Sequence, residues 1–440
     1  MTTRLPADRR TYIGPVLSAI LVVTLLARYP VALLAAVGLA SLVTLILLPE
    51  VTLSLFLAAG VIKAPLASLA TAAGIDMDIT LILALVLVGA ILFRGMKAGF
   101  RTLVPSADCI VPLGSLSLVI LLSALLGPET PYGREKAFRF LTLTNLAVVA
   151  PFVCLNRDSS LSRFLVANII LGIVMLPLGH VSNEGLSAFG STHIATGRAL
   201  GLGLLASVYL GLRRMPPFYR FVWLAVGVAL LAGFLLSGSR GSFVALVTSA
   251  AVTCLLALAT RRGRRHVLAL AAVAGVAALG VTALAPTAVE TMNRRLTAAV
   301  ADPLTFTART RLERATAAID AFAAHPLFGT GIGGFDALFS IADTGRGDYP
   351  HNVFLEVAAE LGLAGLAAFL LLMSRSLRRP LRAHLSAVRR PDTSFAALPL
   401  FVIALTCYAL VNSLFSGDLN DNRLLFAALG MCFIRLEKAA

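Results

Sequence analysis

Charge is what this sequence has least of. Only 13% of its 440 residues are Asp, Glu, Lys or Arg, about half the share that a soluble globular domain carries. An ordinary water-soluble fold is therefore excluded. With 58% hydrophobic residues and a mean hydropathy of +0.90, the chain reads as a polytopic membrane protein. Cysteine is also scarce: Cys109, Cys154, Cys254, Cys407 and Cys432 all lie in or beside hydrophobic runs. That placement argues against a disulfide framework and against a metal cluster. No small-residue cleavage site follows the basic start (Arg4, Arg9, Arg10) and the apolar run 13–27, so an uncleaved first span is expected. Long linkers, low-complexity tracts and clear repeats are missing too. The chain reads as one integrated membrane domain.

What is abundant is apolar runs of spanning length. They predict an all-α polytopic membrane protein with about 12 to 14 transmembrane helices. Among them are 31–48, 51–70, 140–155, 353–373, 395–415 and 424–434. The net charge of +15 comes from basic clusters between these runs, a pattern of topology and not of nucleic-acid binding. With the N-terminus in the cytoplasm, the loops at Arg94 and Lys97, at Arg157 and Arg163, at Arg213 to Arg220, at Arg261 to Arg265 and at 375–390 all fall inside, as does the C-terminus. Outside fall the Asp76, Asp78 turn, the loops 128–139, 181–197, 237–242 and 416–422, and one long polar insertion. The expected division is 1–285 transmembrane helices, 286–350 a helical periplasmic cap, and 351–440 C-terminal transmembrane helices.

The cap leads into Tyr349-Pro350-His351-Asn352, followed by Glu356 and Glu360 in a run that is otherwise apolar to Met373. Polar groups at a membrane boundary need a function to keep them there. Pro350 suits a first helical turn, placing His351 at a helix N-terminus whose potential favours a neutral imidazole, the state a general base needs. The bland alternative is a histidine packed at the interface. Asn352, Glu356 and Glu360 are read as supporting residues, with Glu356 facing the bundle and paired to an arginine or to the acceptor. Residues 311–323 predict an amphipathic helix with Leu312, Ala315, Ile319 and Phe322 on its apolar stripe. Asp76 and Asp78 read as solvated acids of a turn before they read as metal ligands, His180 and His193 as polar loop residues, and Lys63 as snorkelling or paired.

Three features in order resemble the O-antigen ligase and O-antigen polymerase superfamily of bacterial membrane glycosyltransferases. They are Leu236-Ser237-Gly238-Ser239-Arg240-Gly241-Ser242, Arg311 ahead of His325-Pro326-Leu327-Phe328-Gly329-Thr330-Gly331, and His351-Asn352-Val353-Phe354-Leu355-Glu356 with Glu360-Leu361-Gly362. The resemblance implies a GT-C-type fold in the bacterial inner membrane with its site facing the periplasm. It also implies transfer of a glycan from an undecaprenyl diphosphate carrier to the hydroxyl of lipid A-core or of a growing polysaccharide, without metal or other cofactor. His351 is then the expected base. Arg240, Arg311 and Arg198 are expected on the donor diphosphate, because a planar guanidinium suits phosphate oxygens. An O-antigen or exopolysaccharide polymerase, a protein O-oligosaccharyltransferase and a transporter of lipid-linked sugars are the alternatives. The last predicts polar groups near mid-bilayer and internal repeats.

Overall fold

The computed structural model describes residues 30–63, 78–99, 106–213, 216–258, 285–301, 306–339, 348–388 and 397–434, with scattered positions between 263 and 283. The apolar runs form helices because backbone N–H and C=O groups in hydrocarbon must find their partners within the segment. In order these are α1 (Pro30–Leu47), α2 (Pro49–Leu57), α3 (Ile79–Ala98), α4 (Ala107–Leu126), α5 (Pro131–Arg139), α6 (Asn145–Cys154) and α7 (Asp158–Leu178). A small hairpin follows, β1 (Gly179–Ser182) with β2 (Gly185–Ala188), antiparallel with His180 opposite Ser187. Then come α8 (His193–Leu212), α9 (Pro217–Leu236), α10 (Arg240–Leu258), α11 (Pro286–Ala301), α12 (Phe306–Ala324), α13 (Gly334–Phe339), α14 (Val353–Val388), α15 (Ala397–Ser413) and α16 (Arg423–Met431).

Among the described residues eight helices are long and apolar enough to cross a membrane, and a ninth is added if α1 and α2 are one broken span. The runs 31–48 and 51–70 are thus not two straight spans: Pro49 opens α2, and the chain bends by 104° between the two helices. The run 13–27 lies outside the described residues. The stretch 128–139, expected as a loop, is largely helix. Thr130 accepts a hydrogen bond from Gly133 N (2.9 Å), Pro131 occupies the first turn, and a π-helical turn at Phe140–Thr144 carries α5 into α6. The 181–197 loop is likewise more ordered than expected, since it holds most of the hairpin and the start of α8.

Basic residues gather at one end of the bundle. Arg163 pairs with Glu50, Arg213 with Asp158, and Asp108 with Arg375 (3.5 Å) and Arg379 (3.2 Å). The first turns of α5, α8, α10 and α14 meet at the other end, beneath the cap. Also near that end, Asp78 caps α3 through Thr80 N (2.8 Å) and pairs with Arg139 (3.2 Å). Burial pushes its carboxyl up, but the Thr80 amide and the charge of Lys63 outweigh this and leave it below the usual range. Lys63 is exposed, not buried in a span, and the group in its field is Asp78. Asp76 lies outside the described residues.

The expected apolar stripe of α12 is only partly covered by protein, with Ala315 and Phe322 half-buried. Ala318 and Ala321 pack with Phe335 and Ala359, while Leu312 and Ile319 stay 62% and 54% exposed. Small side chains let the cap helix approach α14 closely, a packing mode that favours alanine over leucine. Helix α14 breaks at Gly362, whose φ of 61° and ψ of −157° suit glycine alone. The break frees backbone groups that pair with the turn after α12. Leu363 N donates to Pro326 O (2.8 Å), Ala364 N to Leu327 O (3.1 Å), Thr330 N to Ala359 O (2.9 Å) and Gly331 N to Glu360 O (3.0 Å). The two segments interlock through their backbones.

Candidate active site

A cavity of about 370 Å³ opens where the cap meets the bundle. Its wall draws on six separate elements: the β1–β2 hairpin, α8, α10, α11, α12 and the end of α15. Gly238, at φ 60°, turns the chain so that Arg240 opens α10. Ser239 Oγ donates to Ser242 Oγ (3.0 Å), and Ser242 Oγ donates to Asn412 Oδ1 (2.9 Å), tying this turn to the end of α15. Arg240, Arg295 of α11 and Arg311 of α12 all line the cavity. Among the described residues none of the three has a carboxylate within ion-pair distance. Burial lowers the pKa of Arg295 and of Arg311, and the charge of Arg240 lowers both further. Three like charges held together in this way favour an anion between them.

Arg198 also lines the cavity, but its Nη2 is committed to Asn412 O (3.1 Å) and Ser416 O (2.5 Å). Its backbone is held in turn by Tyr408, whose hydroxyl donates to Arg198 O (3.1 Å). Arg198 therefore clamps the chain after α15 and keeps only part of its donor set for a ligand. His193, expected as a polar loop residue, opens α8 and faces the cavity, with Nε2 3.2 Å from Arg295 Nη1 and Nδ1 3.3 Å from Glu184.

His351 does not line this cavity; it lies within the field of Arg311 and against Tyr349, with ring centroids 4.3 Å apart and ring planes tilted by 59°. Nor does it begin a helix. Pro350 is outside α14, and Asn352 is the capping side chain, accepting from Phe354 N (3.0 Å) and Leu355 N (3.3 Å). His351 has φ 57°, a left-handed conformation rare for a residue with a side chain, and its Nδ1 is buried without a hydrogen-bond partner among the described residues. Its pKa is pushed down to about 4, first by burial and then by the charges of Arg314 and Arg311, against the pull of Asp348. The imidazole is neutral at pH 7. The neutral state was expected from a helix dipole; two arginines and burial supply it instead.

Residues 225–370 match the family model described as O-Antigen ligase. Over that third of the chain it is similar to the O-antigen ligase and polymerase superfamily. No curated protein matches it. The superfamily match covers Arg240, Arg295, Arg311, His351, Glu356 and Glu360, and leaves Lys136, His193, Arg198 and Asp418 outside.

Glu356 and Glu360 do not reach an arginine among the described residues. Both carboxylates meet Lys136 of α5, at 2.6 and 2.7 Å, and all three side chains are almost wholly buried. Asp418, in the loop after α15, adds a third carboxylate 3.7 Å from Lys136 and accepts a hydrogen bond from the Tyr132 hydroxyl. Burial raises the Asp418 pKa, but the Lys136 charge and the Tyr132 hydrogen bond hold it below the usual range. Leu419 N donates to Glu356 Oε1 (2.9 Å), which ties that loop to α14. The cluster binds α5, α14 and the 416–422 loop together beneath Tyr349 and His351. Lys136 escaped the sequence reading because the apolar run was taken to begin at Phe140, when the helix already begins at Pro131. The available signal was Glu356 and Glu360, one turn apart on one face and in need of a buried cation.

Proposed function

We propose that the cavity seats the diphosphate of a polyprenyl-linked glycan, and that this O-antigen ligase and polymerase-type membrane glycosyltransferase transfers the glycan to an acceptor hydroxyl held on the His351 side of Arg311. The observation that carries this is the convergence of Arg240, Arg295 and Arg311, from three separate helices and without carboxylate partners among the described residues, near a neutral histidine. The acceptor oxygen attacks the anomeric carbon while the bond from that carbon to the diphosphate oxygen breaks. Its proton passes to His351, and the arginines take up the negative charge that develops on the leaving diphosphate. A direct displacement of this kind inverts the anomeric centre. His193 and Arg295 extend the donor site beyond the residues that the sequence offered. In this reading the protein lies in the bacterial cytoplasmic membrane with the cavity facing out and both termini inside, and the acceptor is lipid A-core.

The test is transfer by the protein reconstituted with a polyprenyl diphosphate oligosaccharide and lipid A-core. Arg240→Ala is expected to lower the rate by about 10² to 10³; activity within a fewfold of the parent removes the arginine from the donor site. The glycan profile of a strain lacking the gene separates the acceptors. Long chains stranded on the carrier support the ligase, and single repeats support the polymerase.

A further inference from the structure

Two helices measure depth in this molecule. At the basic end Asp108, near the start of α4, pairs with Arg375 and Arg379 of α14 and fixes both helices to one interfacial plane. From Arg375 back to Leu363, α14 is unbroken, so at about 1.5 Å per residue Leu363 stands roughly 18 Å from that plane. By the same measure along α4, Ser123 stands roughly 22 Å from it. A hydrocarbon core is about 30 Å thick, and both positions lie inside it.

The turn at 325–330 is bonded at this depth. Its carbonyls at Pro326 and Leu327 accept from Leu363 N and Ala364 N, and just beyond it Ile332 N donates to Ser123 Oγ (2.8 Å). Irregular backbone survives in hydrocarbon only where such partners are supplied, and the break at Gly362 supplies them. Yet Leu327 is 62% and Phe328 73% exposed. On one side they continue the outward surface of α14, where Leu363 and Leu370 are 48% and 46% exposed; on the other they follow Ile319 and Leu312 of α12.

We infer that the turn at 325–330 is a re-entrant wedge, with Leu327 and Phe328 packed among lipid acyl chains in the half of the bilayer nearer the cavity. The wedge anchors the cap to the membrane and holds Arg311 at headgroup level. This does not depend on the glycosyltransferase reading.

The test uses the full chain with Phe328→Trp in a Trp223→Phe background, which removes the only native tryptophan, in phosphatidylcholine vesicles with and without brominated acyl chains. Expected is blue-shifted emission that loses most of its intensity to brominated lipid and ignores aqueous iodide. Quenching by iodide without quenching by bromine overturns the wedge. Glu290→Trp, at an exposed acidic position on α11, is expected to show the reverse pattern; equal bromine quenching at 290 and 328 also overturns it. Leu327→Trp carries the same test should the change at 328 prevent folding.

Discussion

His351 holds a backbone conformation that costs on the order of 1–3 kcal/mol, against the tilted ring of Tyr349 and in the field of Arg311 and Arg314. Its pKa near 4 in the free protein fixes a pH profile. The folded state prefers neutral imidazole, so the base proposed here is intact above the folded pKa and lost as pH falls through it. The acid limb of kcat/KM is therefore expected near pH 4 and not at the ordinary histidine value of about 6.5. A bound diphosphate raises the pKa, and kcat should fall at a higher pH than kcat/KM; coincident limbs at the ordinary value would refute this account. Lys136 belongs to the same scale. Lys136→Met leaves Glu356, Glu360 and Asp418 facing one another without a cation, a loss of about 3–5 kcal/mol. A lower Tm is expected, partly recovered by adding Glu360→Gln. An unchanged Tm would mean that the cluster sheds its charge at little cost.

Helix α14 depends on its break as much as on its turns. Gly362→Ala places a Cβ against the Leu327 carbonyl and imposes an unfavourable backbone conformation. About 1–3 kcal/mol is expected from that glycine-only conformation alone, read as a lower Tm; an unchanged Tm would mean that the kink is dispensable. How much of this was legible differs from element to element. Arg240 and Arg311 could be paired from sequence because each stands in a recognisable stretch, and the cavity contains both. Arg295 could not, since it is one arginine among several on a polar helix and only the packing of α11 brings it inward. The α12 stripe misled because hydrophobic periodicity shows which face avoids water, not whether protein or lipid covers it. Glu356 was correctly turned toward the bundle, but its partner comes from a helix whose polar first turns looked like a loop.

For the whole molecule, the separation of basic end from cavity end makes orientation measurable. In cells, Cys introduced at Glu184, in the hairpin turn, is expected to react with a membrane-impermeant maleimide from outside the cytoplasmic membrane. Cys at the exposed Arg378 is expected to react only once that membrane is permeabilised. The opposite pattern would invert the topology and remove the case for an exported donor. The interlock between the 326–331 turn and the break in α14 has a further consequence, for the order in which the protein is made. The turn leaves the ribosome before the residues that will accept and donate its hydrogen bonds exist. It has to wait at the membrane surface until α14 has inserted, and only then can it sink to its final depth and bring Arg311 into place. The docking of the turn and the completion of the cation cluster are then one event, so a chain arrested before α14 would be a membrane protein with an open bay and no site.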